Sequence, residues 1–342
     1  MIGVSQMKML ILMTLASKSI LLFFLILYFS CQGNYKTFLI SGYTQGTTYN
    51  IKYHSINQKI PKESIDSLLK IIDMSMSTYI PFSTISKLNR NEDVILDSLI
   101  TYVILKSIDI CNETNGMFDI TVSPLVNYWG FGPKKNRSFK NNNQFFHEIG
   151  CDKISIQNKT LIKSDSVKID LNGIAQGFSV DFLSKYFKSK FINDFMIEIG
   201  GEITCSGDNL GKGWKIGIES PTDKNRDLVY ILNLQNVSLA TSGNYRNYYY
   251  SDSMKISHNM NPKTLKPSSN SLLSATIISD NCTSADAYAT ACMALGFEGS
   301  KELMSTKNII GSLAYKSSDD TVYYFSNKFS SFLHMSPGSA PQ

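Results

Sequence analysis

The chain has 342 residues, is 43% apolar and 18% charged, and carries a formal net charge of +5. That composition excludes a disordered chain and suits one large domain or two closely packed lobes. Lys8 and Lys18 fall in the first thirty residues, which hold no acid; the remainder has 31 basic against 28 acidic residues. So small a surplus, with no Lys/Arg run longer than two, argues against a nucleic-acid-binding surface.

Residues 1–30 read as a secretory signal. The two lysines precede the apolar run at 20–29, and Ser30 and Cys31 follow it. A cysteine directly after a small residue resembles the lipobox of bacterial lipoproteins, with Cys31 as the lipidated residue. Tyr28 and Phe29 are bulkier than usual lipobox side chains. The alternative is an uncleaved anchor over residues 9–30, which would place Lys18 mid-span, where a charge is expensive. Either way the body of the chain lies outside the cytoplasm. Residues 31–41 read as lipidated cysteine and polar tether, and 42–335 as the folded domain, with two closely packed lobes as an option. Beyond Cys31 stand Cys111, Cys151, Cys205, Cys282 and Cys292, with no Cys-x-x-Cys pair and no zinc-like clustering with the four histidines. They read as small buried apolar residues, with one or two bridges open to them in an oxidising compartment.

Along the chain, residues 47–53 alternate as a strand. Pro61 begins a helix carrying Ile65, Leu68, Leu69, Ile72 and Met76 on one face. Residues 96–111 read as a second helix, ended by the turn signal at 112–116. Residues 141–143 form an all-asparagine polar loop, and 170–187 read as a third helix opened by glycines. From there strands prevail, at 195–199, 214–219, 228–234, 272–278 and 322–325. Before the last of these, 285–295 is an alanine-rich helix capped by Thr283, with Asp286 three residues on, and stopped by Gly296. Strands without regular βαβ alternation give an α+β fold: a largely antiparallel sheet with flanking helices.

Six segments carry candidate chemistry. In Asp286-Ala287-Tyr288-Ala289-Thr290, positions i and i+4 share a helical face, so the Asp286 carboxylate and Thr290 hydroxyl point the same way. Two hard oxygen donors suit Mg²⁺; a capping carboxylate and a buried hydroxyl would look the same. In Asp170-Leu171-Asn172-Gly173-Ile174-Ala175-Gln176-Gly177, glycines at a helix start let backbone approach a ligand or, equally, a neighbouring element. The Gly-x-Gly-x-x-Gly spacing of the Rossmann fold is absent. The remaining four are 114–125 with Trp129-Gly130-Phe131-Gly132, 77–83 with Ser86, Leu88 and Asn89, Ser242-Gly243-Asn244-Tyr245-Arg246, and 258–264 from His258 to Thr264. None decides anything alone.

In their order, spanning about residues 43 to 296, they resemble the ApbE family of FAD:protein FMN transferases, which are flavin-trafficking lipoproteins. The resemblance implies an ApbE-like (T-fold-like) form of the α+β fold. It implies Mg²⁺-dependent transfer of the FMN moiety of FAD onto a Thr or Ser hydroxyl of an exported acceptor protein, with AMP released. Asp286 and Thr290 correspond to the family's metal ligands, the Gly173 carbonyl completes the protein's share, and the Ala289 backbone lies beside them. Tyr79, Met117, Phe118 and Asp119 correspond to FAD-contacting positions. Asp170, Gln176 and Met260 fall at others, near the ribityl–pyrophosphate and adenosine portions. His258, the only histidine within these segments, has an unperturbed pKa near neutrality and is the general-base candidate.

Three positions depart from the family pattern. Gln176 replaces a residue that is usually charged, Asn261 replaces an acid, and Leu265 replaces a glycine and would resist a positive φ. The implied acceptors are flavin-bearing subunits of membrane electron-transfer complexes of the Na⁺-translocating quinone reductase or Rnf type. The implied location is the periplasmic side of the inner membrane, through a lipid anchor. The same residues would also serve an FAD pyrophosphatase, with water as nucleophile, or a non-catalytic FAD-binding lipoprotein.

Overall fold

The computed structural model of the chain describes residues 35–57, 59–133, 147–222, 227–244, 248–251, 254–318 and 320–334. The signal segment, Cys31 and the loop at 141–143 lie outside the described residues. The chain opens on an antiparallel hairpin of β1 (Lys36–Thr44) and β2 (Thr47–Ser55), turned by Gln45 and Gly46, both at positive φ. Strand β1 therefore begins within the stretch read as tether. Its sequence signal is weak because it is an edge strand that leaves Leu39 and Tyr43 exposed.

Helices α1 (Lys62–Met76), α2 (Thr84–Asn89), α3 (Ser98–Glu113) and α4 (Ser123–Tyr128) follow. In α1, Ile65, Leu69, Ile72 and Met76 are buried, the stripe that the 3.6-residue period marks. Helix α3 starts at Ser98 because the Asp97 carboxylate caps it, accepting from the Leu99 and Ile100 N–H groups at 2.8 and 3.0 Å. A small hairpin, β3 (Ser155–Gln157) with β4 (Thr160–Ile162), precedes α5 (Ala175–Ser189). Residues 170–174 are a turn rather than the first turn of that helix.

The second half supplies β5 (Asp194–Ile199), β6 (Glu202–Ser206), β7 (Trp214–Glu219), β8 (Leu228–Leu234), β9 (Val237–Gly243), β10 (Tyr248–Ser251), β11 (Met254–Ser257), β12 (Met260–Asn261), β13 (Lys266–Pro267) and β14 (Leu272–Ser279). Helix α6 (Cys282–Thr306), β15 (Ile310–Ser317) and β16 (Asp320–Phe325) complete it. Eight strands form one sheet in the order β1-β2-β5-β6-β9-β14-β15-β16, every pairing antiparallel. The fold is α+β, as the sequence pattern predicts.

Adjacent residues of a strand serve opposite faces of this sheet. Ala240 of β9 and Ile277 of β14 pack with Ala285, Ala289 and Cys292 of α6. Their neighbours Leu239 and Ile278 pack on the other side with Trp214, Ile216 and Leu232 of the β7–β8 hairpin. A third cluster joins β2 and β5 to α1 and α5. The α6 cap is Asn281, whose side chain accepts from the Ser284 N–H at 2.8 Å. The Thr283 hydroxyl instead binds Asp181. Gly296, at φ 76, kinks α6 without ending it.

Cys111, in the last turn of α3, and Cys151 form a disulfide across 40 residues of sequence, while Cys205, Cys282 and Cys292 are free and buried. The reading of all five as small apolar residues therefore holds for three. No local spacing marks partners this far apart. Among the described residues, no helix is long and apolar enough to cross a membrane.

Candidate active site

Two glycines bring the start of α5 against the start of α6. A Cβ on Gly177 would lie 2.4 Å from the Cys282 carbonyl oxygen and 2.8 Å from the Asp286 Cβ, so only glycine permits this approach. Across it, the Gly177 N–H donates to Asp286 Oδ2 at 3.0 Å. One helical turn on, the Thr290 hydroxyl lies 3.5 Å from both the Gly173 carbonyl and Ser242 Oγ. The glycine-led segment thus packs two helices and, by the same contact, gathers a carboxylate, a hydroxyl and a carbonyl.

The neighbouring wall is held by local polar clamps. The Asn89 amide grips the Ile169 backbone on both sides, donating at 2.8 Å and accepting at 2.7 Å. The Asp170 N–H donates to the Ile120 carbonyl at 2.7 Å, and Asp170 Oδ1 accepts from the Asn172 N–H at 2.8 Å. Asp119 Oδ1 accepts from the Thr121 N–H at 2.8 Å and from its hydroxyl at 2.6 Å. The Gly150 N–H donates to that same hydroxyl oxygen, beside the disulfide. Burial pushes the carboxyls of Asp119 and Asp170 above the usual range.

Aromatic groups and His258 form the mouth. The Ser83 and Ser86 hydroxyls hold the Ser77 carbonyl, which fixes the turn that presents Tyr79. Tyr79 is 59% exposed and its hydroxyl donates to the Phe131 carbonyl at 3.3 Å. The Phe131 ring stands 6.2 Å from the half-buried His258 ring and 5.5 Å from Tyr249. Asn261 serves its own turn: Oδ1 accepts from the Lys263 and Thr264 N–H groups at 2.9 Å, and Nδ2 donates to the Ala294 carbonyl of α6. Leu265 takes φ 61 after all, so the turn survives without its glycine.

These walls enclose a cavity of about 910 Å³, at the upper end of the small-molecule range. Tyr79, Met117, Phe118 and Asp119 line one part of it, and Asp170, Gly173 and Gln176 another. His258, Met260, Asp286 and Thr290 line it as well, the last two beside Gly177 and Gly173. Ala289 does not line it; its side chain is buried between α6 and the sheet. Tyr245 and Arg246 lie outside the described residues. Sequence reasoning misses Glu202, Asp73 and Gln45, which also line the cavity. Strand alternation alone cannot distinguish Glu202 from any inward residue.

Glu202 is 6% exposed; burial, and then the Asp286 carboxylate, push its carboxyl well above the usual range. Burial pushes the Asp286 carboxyl up to about 7, opposed by the Gly177 N–H and reinforced by Asp181. Asp286, Thr290 and the Gly173 carbonyl are hard oxygen donors, the set that Mg²⁺ prefers over softer metals. Among the described residues, the one trio of His, Cys, Asp or Glu atoms within metal-holding reach is Cys111, Asp119 and Cys151, and its two sulfurs are bonded to each other. A dinucleotide-sized cavity with an acid-and-hydroxyl floor and an aromatic mouth can hold a flavin nucleotide and work on its diphosphate.

The sequence profile of the ApbE family matches residues 45–312. A relative from Vibrio cholerae named FAD:protein FMN transferase is 34% identical over 322 residues, covering 90% of this chain and 96% of the relative. One of the same name from Escherichia coli K12 is 29% identical over 312 residues, covering 86% and 89%. Among solved structures, flavin transferase ApbE from Vibrio cholerae superposes with a TM-score of 0.80 at 32% identity, covering 87% of this chain and all of that one. Flavinyl transferase ApbE from Pseudomonas stutzeri in its apo form gives 0.80 at 26% identity, with 87% and 97% covered. Profile, sequence and fold agree over the same span, and the chain belongs to the ApbE family.

Proposed function

We propose that the chain transfers FMN from FAD onto a threonine or serine hydroxyl of an acceptor protein, releasing AMP, with Mg²⁺ as cofactor. The observation that carries this reading is that one cavity gathers residues from segments 200 positions apart, with Tyr79 at its rim and Asp286 on its floor. Asp286, Thr290 and the Gly173 carbonyl supply the oxygen donors for the cation, and Met117, Phe118, Asp119, Asp170, Gln176 and Met260 line the space for the dinucleotide. When bound, Mg²⁺ supplies positive charge against the diphosphate oxygens.

The acceptor oxygen attacks the phosphorus on the flavin side, the bond from that phosphorus to the bridging oxygen breaks, and AMP leaves with that oxygen. His258 takes the hydroxyl proton. Little covalent work falls to the protein, so positioning and charge dominate. The acceptor is a flavin-bearing subunit of an electron-transfer complex, of the Na⁺-translocating quinone reductase or Rnf type, facing the periplasm. The enzyme itself is exported, which the Cys111–Cys151 disulfide supports, and is held to the inner membrane through Cys31.

The test is incubation with FAD, Mg²⁺ and an acceptor, followed by mass spectrometry of the acceptor. The wild type adds an FMN-sized mass; Asp286→Ala labels at least about 100-fold more slowly. FMN and AMP appearing without a labelled acceptor would instead identify a pyrophosphatase. Labelling by Asp286→Ala at the wild-type rate would remove the metal assignment.

A further inference from the structure

We propose that Glu202 is a second carboxylate of the cation site, holding through a coordinated water the metal that Asp286 and Thr290 grip directly. This rests on the reading of those two residues as cation ligands. Glu202 opens β6 immediately after Gly200 and Gly201, both at positive φ, and faces the cavity rather than solvent. Among the described residues, its Oε2 meets no hydrogen-bond partner. A buried carboxylate oxygen left bare is costly and calls for a missing partner.

The position of that oxygen shows where the partner lies. A Cβ on Gly200 would come within 3.3 Å of Glu202 Oε2 and 3.2 Å of Gln176 Nε2. Gln176 precedes Gly177, whose N–H holds Asp286. The bare oxygen thus lies beside Gly200 and near the Gln176 amide, and its carboxyl feels the Asp286 charge in the same cavity. Among the described residues no cation pairs with it: the two ion pairs there are Lys62–Asp66 and Arg90–Glu92, both exposed. Gln176 is neutral, and Glu198 adds a further acid nearby.

A ligand hydroxyl would satisfy the hydrogen bond and leave the charge, and a diphosphate would add to it. A divalent cation does both tasks. Mg²⁺ commonly takes one or two carboxylates from the protein and keeps several waters, which outer carboxylates orient.

The experiment is calorimetric titration of the full chain with Mn²⁺, a Mg²⁺ surrogate, for the wild type and for Glu202→Gln, Glu198→Gln and Asp286→Asn. Thermal unfolding of each is measured in EDTA. Glu202→Gln is expected to bind Mn²⁺ about tenfold more weakly than Glu198→Gln does, with no drop in cation-free melting temperature, since the amide removes repulsion between acids. Glu202→Asp, which keeps charge and loses reach, should fall between wild type and Glu202→Gln. Equal affinities in the Glu202→Gln and Glu198→Gln proteins would overturn the inference while Asp286→Asn, having lost Mn²⁺, keeps the primary site. Wild-type protein that takes up no Mn²⁺ would overturn both.

Discussion

Leu265 occupies the left-handed region at φ 61, where a side chain costs about 1–2 kcal/mol. Its N–H donates to the Asn261 carbonyl at 2.9 Å, and the Asn261 side chain caps the same turn. Those bonds hold the strained residue in place. Replacing it with asparagine, which tolerates this conformation, should raise stability by about 1 kcal/mol in urea unfolding. A loss of stability would mean that the Leu265 side chain contributes more by packing than its backbone costs.

Asp286 sets a pH dependence of opposite sign to the common one. Its carboxyl titrates near 3.8 when unfolded and at about 7 in the fold. Between those values the native state holds a proton that the unfolded chain has released, so stability falls as pH rises through this window, and Glu202, raised by burial and by Asp286, acts in the same sense. In EDTA the melting temperature should be lower at pH 8 than at pH 5, with a shallower slope for Asp286→Asn. Mg²⁺ should raise it more at pH 8, because the cation binds the ionised acid. A slope unchanged in Asp286→Asn would assign the effect elsewhere.

The Asp286–Thr290 pair was legible as a shared helical face from type and spacing, but its role and that of His258 came from the order of the segments that carry the family resemblance. Glu202 was not legible, because its meaning depends on which strand lies beside α6.

At the scale of elements, the disulfide does what local interactions cannot. Cys111 lies in the last turn of α3 and Cys151 opens the turn before β3, so the bond closes a 40-residue span around the stretch that carries Met117, Phe118 and Asp119. Cross-linking restricts the unfolded chain, and losing a native bridge of this kind costs about 2–5 kcal/mol. Cys151→Ser should therefore unfold at lower urea by that amount. Dithiothreitol should reproduce the loss in the wild type and leave Cys151→Ser unmoved. Dithiothreitol lowering both equally would show that the bridge is not what it acts on.

Helices with a strong stripe, α1 and α3, were readable to within two residues. Edge strand β1 was not, since exposure on one edge weakens its alternation. Gly296 misled for a different reason: a positive φ usually ends a helix, but Cys292 and Ser300 stay buried on either side and carry α6 through.

For the whole molecule, composition and the strand-rich second half were enough for an α+β class. The sheet order was not recoverable, because β2 pairs with β5 and β9 lies between β6 and β14, contacts separated by many residues. That non-local order is also what assembles the cavity, since α5 and β6 come from the start of the second half and α6 from near its end.

Two acids at the bottom of a hole that must accept a diphosphate make the nucleotide and the divalent ion mutual effectors. Whatever factor the ion contributes to nucleotide affinity, the nucleotide returns to the ion, because the two loadings share one thermodynamic cycle. Under the proposed reading, withdrawing the divalent ion would then weaken nucleotide loading too, so the site would lose both together.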